Sequence, residues 1–108
     1  MNKKYLIRKN LEFQEIIKSC KNKKSKLYVI YYRKNNNNYN RYGISVGKKV
    51  GNSVIRNKLK RQIKDILRKN NINYSKDYVI IVKKAILFAD YNKMKIELLN
   101  ALKEIEHE

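Results

Sequence analysis

The spacing of apolar positions divides the chain into six elements. Residues Asn10 to Lys18 place Leu11, Phe13, Ile16 and Ile17 at helical spacing, with Asn10 suited to cap the start. Cys20 to Lys26 is a lysine-rich connection with room for a short edge strand. Leu27 to Arg33 is aromatic and β-branched and predicts a strand, as does Arg41 to Gly47. The polar loop Lys34 to Asn40 between them suits a long hairpin. Asn52 to about Asn70 predicts the longest helix, and Asn71 to Asp77 a loop. Tyr78 to Lys83 predicts a third strand. Asp90 to about Glu106 predicts a last helix, capped by Asp90, with Met94, Leu98, Ala101, Leu102 and Ile105 on one stripe. Helix, strand, strand, helix, strand, helix is the order of an α+β sandwich, one small sheet with helices packed on it.

Length and composition limit what this sandwich can be. The 108 residues suit a single domain, 1–108, with one core. No apolar run approaches the ~20 residues of a membrane span, and Met1 to Tyr5 lacks the apolar centre of a secretory signal. The one cysteine, Cys20, allows no internal disulfide. The one histidine, His107, lies at the C-terminal end, away from any nucleophile in the body of the domain. A Cys/His zinc cluster and a Ser–His or Cys–His catalytic pair are therefore excluded, and a reduced, cytoplasmic setting is expected.

Charge changes the picture most. Lys and Arg number 27 against 9 Asp and Glu, a net of +18. Lys, Asn, Ile and Tyr all have AT-rich codons, but mutational bias would scatter lysine evenly. Instead residues 1–64 carry 19 basic residues against Glu12 and Glu15, while 65–108 carry 8 basic and 7 acidic. Such asymmetry is the electrostatic footprint of a polyanion-binding surface.

The long helix focuses that charge. At 100° per residue Ile55, Leu59, Ile63, Ile66 and Leu67 form a core stripe. The neighbouring face carries Arg56, Asn57, Lys60, Arg61, Lys64 and Arg68 with no acid, and Asp65 lies just past its edge, near Lys58 and Lys69. A solvated face normally mixes signs, whereas Arg56, Lys60, Lys64 and Arg68 repel at i,i+4, which suits contact with phosphates. Gly47-Lys48-Lys49-Val50-Gly51-Asn52-Ser53 leads into the helix. Gly51 is expected to supply an unusual backbone angle, and the free amides and positive dipole end favour an anionic oxygen. Neither a nucleotide-binding P-loop nor a KH-type GXXG clamp is matched here. In the first strand Val29 and Tyr31 share one face and Tyr28, Ile30 and Tyr32 the other. In the second, Gly43, Ser45 and Gly47 oppose Ile44 and Val46. A face of Tyr31, Ser45 and glycines makes a poor core and a good groove floor, on which a base can stack.

The run from Gly43 to Arg61 (GISVGKKVGNSVIRNKLKR) resembles the signature of the bacterial ribonuclease P protein component. The resemblance extends through Arg8 to Phe13 and Lys76 to Ile81. Lys58 stands where that family usually has arginine, Gly47 where serine or alanine is common, and Ile17 where an aromatic is frequent. The resemblance implies an αβββαβα sandwich with a left-handed βαβ crossover, like the second domain of ribosomal protein S5. It implies the protein subunit of an RNA enzyme that removes 5′ leaders from precursor tRNA, with the chemistry and Mg²⁺ carried by the partner RNA, no catalytic side chain, and the protein alone inactive. By the same resemblance Lys48, Lys49, Arg56, Asn57, Lys58, Lys60, Arg61, Lys64 and Arg68 contact RNA. Phe13, Val29, Tyr31, Ser45, Lys49, Arg56, Asn57 and Lys60 match the cleft that holds the single-stranded leader. A structural RNA-binding protein of ribosomal type shares the charge and needs no such cleft.

Overall fold

A computed structural model describes residues 2–19, 21–70 and 75–106. It is a mixed α+β structure: α1 (Asn10–Lys18), β1 (Asn22–Lys24), β2 (Tyr28–Lys34), β3 (Arg41–Ser45), α2 (Ser53–Lys69), β4 (Lys76–Val82) and α3 (Tyr91–Glu106), with short 3-10 helices at Lys3–Tyr5 and Lys84–Phe88. The short edge strand within the Cys20–Lys26 connection is present as β1, Cys20 itself lying outside the described residues.

The sheet order is β1-β2-β4-β3. The hairpin expected between β2 and β3 does not form. β4 lies between them, antiparallel to β2 and parallel to β3, so α2 is the crossover joining a parallel pair. The physical reason lies in β4 itself. From Tyr78 to Val82 it is apolar on both faces, and the strand is almost wholly buried, which suits a central strand better than an edge.

The two faces of the sheet are covered unequally. Tyr28, Ile30, Tyr32, Tyr42, Tyr78, Ile80 and Val82 point to the side of α2 and α3, where they join Leu59, Ile63, Ile66, Leu67, Met94, Leu98, Ala101 and Ile105 in the main core. Leu102, expected on the α3 stripe, is only partly buried there. On this face the Tyr42 and Tyr78 rings stack, centroids 5.5 Å apart. The opposite face packs mainly against α1 and the segment before it, in a small cluster of Ile7, Ile16 and Val79 flanked by Phe13, Ile17, Tyr31 and Ile81. Residues 6–8 reach the free edge of β3, where the Ile7 amide donates to the Tyr42 carbonyl (2.8 Å).

Local signals explain most of the boundaries. Asn52 caps α2, its Oδ1 accepting from the Ile55 amide at 3.0 Å. Asp90 caps α3 through the Lys93 amide (2.8 Å). Asn10 does not cap α1: it is the first helical residue, and Lys9 occupies the cap position without a side-chain hydrogen bond. Lys76 reaches across the main core and donates to the Ile105 carbonyl at the end of α3 (2.7 Å), a cation on a helix C-terminus.

Candidate nucleic-acid interface

Cross-strand register builds the floor of a groove. Residues opposite one another share a face, so the face turned from the main core carries three rows. They are Arg33–Asp77–Arg41, then Tyr31–Val79–Gly43, then Val29–Ile81–Ser45. α1 lies over this face and leaves the third row largely open. Phe13 explains how closely the helix approaches. A Cβ added to Gly43 would stand 2.6 Å from Phe13 Cζ, so the ring occupies the space a side chain would need.

A depression of about 500 Å³ runs beside β3. Its floor is Ser45 with Val79 and Ile81, and Ile44 and Val46, which belong to the main-core side, line it along the free edge of β3. Asn10, Phe13, Gln14 and Ile17 of α1 form one wall, Lys60 and Lys64 of α2 the other, and Leu6 to Arg8 close one end. At Ser45 and Ile81 it meets a second depression of about 580 Å³, bordered by Gly47, Lys48, Lys49, Val50, Val82 and Lys84. The combined surface is apolar along its floor and cationic along its rim.

The loop carrying Lys48 and Lys49 is anchored at both ends. Val46 and Val50 are buried in the main core, and the Val50 amide closes a turn on the Gly47 carbonyl at 3.1 Å. Both lysines are exposed at its tip. Gly51 plays a different part from the one expected. Its φ is not positive; a Cβ there would meet Ile55 Cγ2 at 2.9 Å. Ile55 folds back over Gly51 and stays 38 % exposed rather than joining the core stripe, because the first turn of α2 overhangs the packed face.

Along α2, Asn57, Lys58 and Arg61 are exposed, and Arg56, Lys60 and Lys64 are half-buried. Among the described residues no acid pairs with Arg56, Lys58, Lys60, Arg61 or Lys64. Arg56 Nε is buried without a hydrogen-bond partner among these residues, an arrangement that ordinarily costs about 1–3 kcal/mol. At the far end of α2 the charge is balanced. Asp65 pairs with Arg68 (2.9 Å) and Lys69 (3.2 Å), not with Lys58, and accepts from the Tyr91 hydroxyl at 2.7 Å. The hydrogen bond from Tyr91, then those from Lys69 and Arg68, lower its pKa to about 2. The uncompensated face thus ends before Arg68.

Of the residues assigned by resemblance to the leader cleft, the structure brings Phe13, Ser45 and Lys60 together in the first depression and Ser45 with Lys49 in the second. Val29 lies in the same row as Ser45, and Tyr31 is half-buried beside the α1 cluster. Like Val29 and Tyr31, Arg56 and Asn57 line neither depression. Sequence reasoning missed Arg8, Asn10, Gln14, Ile17 and Lys84 as lining residues. Gln14 was within reach, since it neighbours Asn10 and Ile17 at i,i+4 and i,i+3 spacing; nothing in the sequence marked Lys84.

It also missed an ionic cluster at the end of this face. Asp77 has a side chain only 1 % exposed. Arg41 grips it with two hydrogen bonds, Nε to Oδ1 (2.9 Å) and Nη2 to Oδ2 (2.8 Å). Arg33 Nε adds a bond of 3.2 Å to Oδ2, and Asn35 one of 2.8 Å to Oδ1. Burial alone would raise the Asp77 pKa, but the bonds from Arg41, Asn35 and Arg33 outweigh it and hold the carboxyl below its ordinary value. The same arginines reach α1: Arg41 Nη2 donates to Glu12 (2.8 Å) and Arg33 Nη1 to Glu15 (3.4 Å).

Comparison with known proteins agrees with this architecture. The Ribonuclease P family model matches residues 1–106. A ribonuclease P protein component from Clostridium kluyveri is 41 % identical over 101 residues, covering 94 % of this chain and 90 % of that protein. One from Mycoplasma capricolum is 60 % identical over 67 residues, so the chain spans only 62 % of the length of that relative. Among solved structures, an RNase P protein from Staphylococcus aureus superposes with a TM-score of 0.85 at 34 % identity, covering 94 % of each chain. One from Thermotoga maritima gives 0.83 at 33 % identity, covering 91 % of this chain and 94 % of the other. No helix among the described residues is long and apolar enough to cross a membrane.

Proposed function

The chain belongs to the ribonuclease P protein family, and from that premise we propose that it is the protein subunit of a ribonuclease P ribonucleoprotein in the cytoplasm, a single RNA-binding domain over 1–108. The unpaired cations of α2, together with Lys48, Lys49 and Asn57, bind the catalytic RNA. The groove beside β3 holds the single-stranded 5′ leader of precursor tRNA, and the assembly cleaves that leader away. The observation carrying this reading is the juxtaposition of an apolar floor with the unpaired Lys60 and Lys64 on its rim. Bases can lie on the floor while the lysines follow the phosphates.

The cleavage chemistry belongs to the partner RNA and its Mg²⁺. The two carboxylates of the basic half do not fit a metal site, because Glu12 and Glu15 are each engaged by an arginine. The open groove favours this reading over a purely structural RNA-binding protein, which gains nothing from it.

Reconstitution tests the proposal. The protein with a ribonuclease P RNA, at low Mg²⁺, is expected to bind precursor tRNA more tightly than mature tRNA and to stimulate cleavage, and the protein alone to cleave nothing. Equal affinity for the two tRNAs would overturn the leader assignment, and cleavage by RNA-free protein would overturn the division of labour.

A further inference from the structure

The α1 wall of the groove is held to the sheet by little apolar contact. Ile16 is its one buried residue, Phe13 and Ile17 are partly buried, and Leu11 points away, 78 % exposed. A single buried isoleucine is a small apolar anchor for a nine-residue helix. Opposite the groove, α1 is instead tied by charge. Glu12 meets Arg41 and Glu15 meets Arg33, and both arginines are fixed from below by the buried Asp77. These two glutamates are the only acids among residues 1–64. On a surface that meets a polyanion each acid costs affinity through long-range repulsion.

We propose that Glu12, acting through Arg41 and Asp77, is a positioning residue. It fixes the α1 wall over the β3 floor and so holds the groove at the width of a single strand. Glu15 acts the same way through a longer and more exposed pair (3.4 Å). Gly43 sets the approach from the other side, since it admits the Phe13 ring against the sheet. Glu12 and Glu15 project from the flank of α1 opposite Asn10, Gln14 and Ile17, so the clasp and the groove occupy different sides of one helix. The inference rests on the leader-groove reading above.

Glu12→Gln tests it with a sign that charge alone cannot mimic. Removing an acid from a protein of net charge +18 tightens every RNA by electrostatics. Positioning predicts the reverse for one ligand only. Holoenzyme carrying Glu12→Gln should bind precursor tRNA about three- to tenfold more weakly, with mature tRNA and partner-RNA affinity unchanged or slightly improved. Glu15→Gln should act in the same direction and more weakly, while Glu104→Gln, an exposed acid paired with Lys23 on another part of the surface, should leave the precursor-to-mature ratio alone. Gly43→Ala should lower the same ratio with no change of charge.

A second readout separates this idea from the reading it rests on. In the free protein, amide exchange at Ile16 and Ile17 should accelerate in Glu12→Gln, while Ile63 and Ile80 exchange as before. If wild-type holoenzyme does not distinguish precursor from mature tRNA, the leader groove fails, and α1 exchange alone judges the clasp. Unchanged α1 exchange, or precursor binding unchanged or tightened by Glu12→Gln in an enzyme that does distinguish them, overturns the positioning role.

Discussion

Ile80 and Ile81 are consecutive, chemically identical and carried by the same central strand, yet they belong to different parts of the protein. Ile80 is 0 % exposed beneath α2 and α3. Ile81 faces the other way, partly buried at the edge of the α1 cluster, and lines both depressions. One face of the sheet is sealed by two helices; the other has one short helix, held by a small apolar cluster and by ion pairs. The sealed face supplies stability, and the under-covered face supplies a surface. A β-sheet gives both at once because successive side chains point to opposite sides.

Substitutions in β4 test that division most directly. Ile80→Ala should cost about 2–5 kcal/mol, as fully buried aliphatic truncations do, read as a shift of the denaturation midpoint at constant slope. Ile81→Ala should cost under about 1.5 kcal/mol and weaken precursor tRNA binding instead. Equal destabilisation would mean that both faces are core.

Asp77→Asn strikes the fastening of α1 to the sheet. It leaves Arg33 and Arg41 without their buried partner and should cost about 3 kcal/mol, measured by chemical denaturation near neutral pH. The sign with pH follows from the lowered pKa. A carboxyl below its ordinary value of 3.8 contributes stability that is fully present above that value and is lost as pH falls through the folded-state pKa. Wild-type protein should therefore lose this part of its stability in acid, and the gap between it and Asp77→Asn should narrow there. A gap independent of pH would assign the effect to shape rather than charge.

Tyr31→Ala sharpens the comparison from the groove side. If the exposed part of its ring stacks on a leader base, precursor affinity of the holoenzyme should fall by about 1–3 kcal/mol, with mature tRNA and partner-RNA binding unchanged. An unchanged ratio in a folded variant would make Tyr31 part of the α1 cluster alone.

The smallest effects per residue belong to the basic helix. Each Ala substitution at Arg56, Lys60 or Lys64 should flatten the salt dependence of partner-RNA binding by about 0.7–0.9 slope units. Lys69, already paired with Asp65, should change it little. Equal effects at Lys60 and Lys69 would mean undirected charge.

Much of this was legible in the sequence because it rests on local chemistry. The capped helix at Asn52, the amphipathic α3 and the alternation in β2 all appear where spacing places them. The sheet order was not legible. Two strands joined by an asparagine loop look like a hairpin, and only the unbroken apolar run from Tyr78 to Val82 hinted at a strand buried on both sides. The wheel put Ile55 on the core stripe, but periodicity does not say where a helix overhangs its sheet. Gly51 and Gly43 were ambiguous for the same reason: what a glycine makes room for, here Ile55 and Phe13, comes from elsewhere in space. The α2 charge could be read because its members lie a turn apart. The Glu12–Arg41–Asp77 clasp could not, since its partners are brought together only by the register of β3 and β4.

The position of β4 also sets a timetable for biosynthesis. Chain order is β1, β2, β3, β4, but β4 is the strand that both β2 and β3 need. As the polypeptide leaves the ribosome, nothing beyond the three-residue β1 can pair with β2 until β4 begins to emerge at Lys76, and so small a ribbon is not stable alone. During that interval the strongly basic first 64 residues lack the closed sheet that shapes their surface, beside ribosomal RNA. Closure of the sheet is a late, long-range event of the slow kind, and it turns a segment that adheres to any RNA into one with a shaped surface.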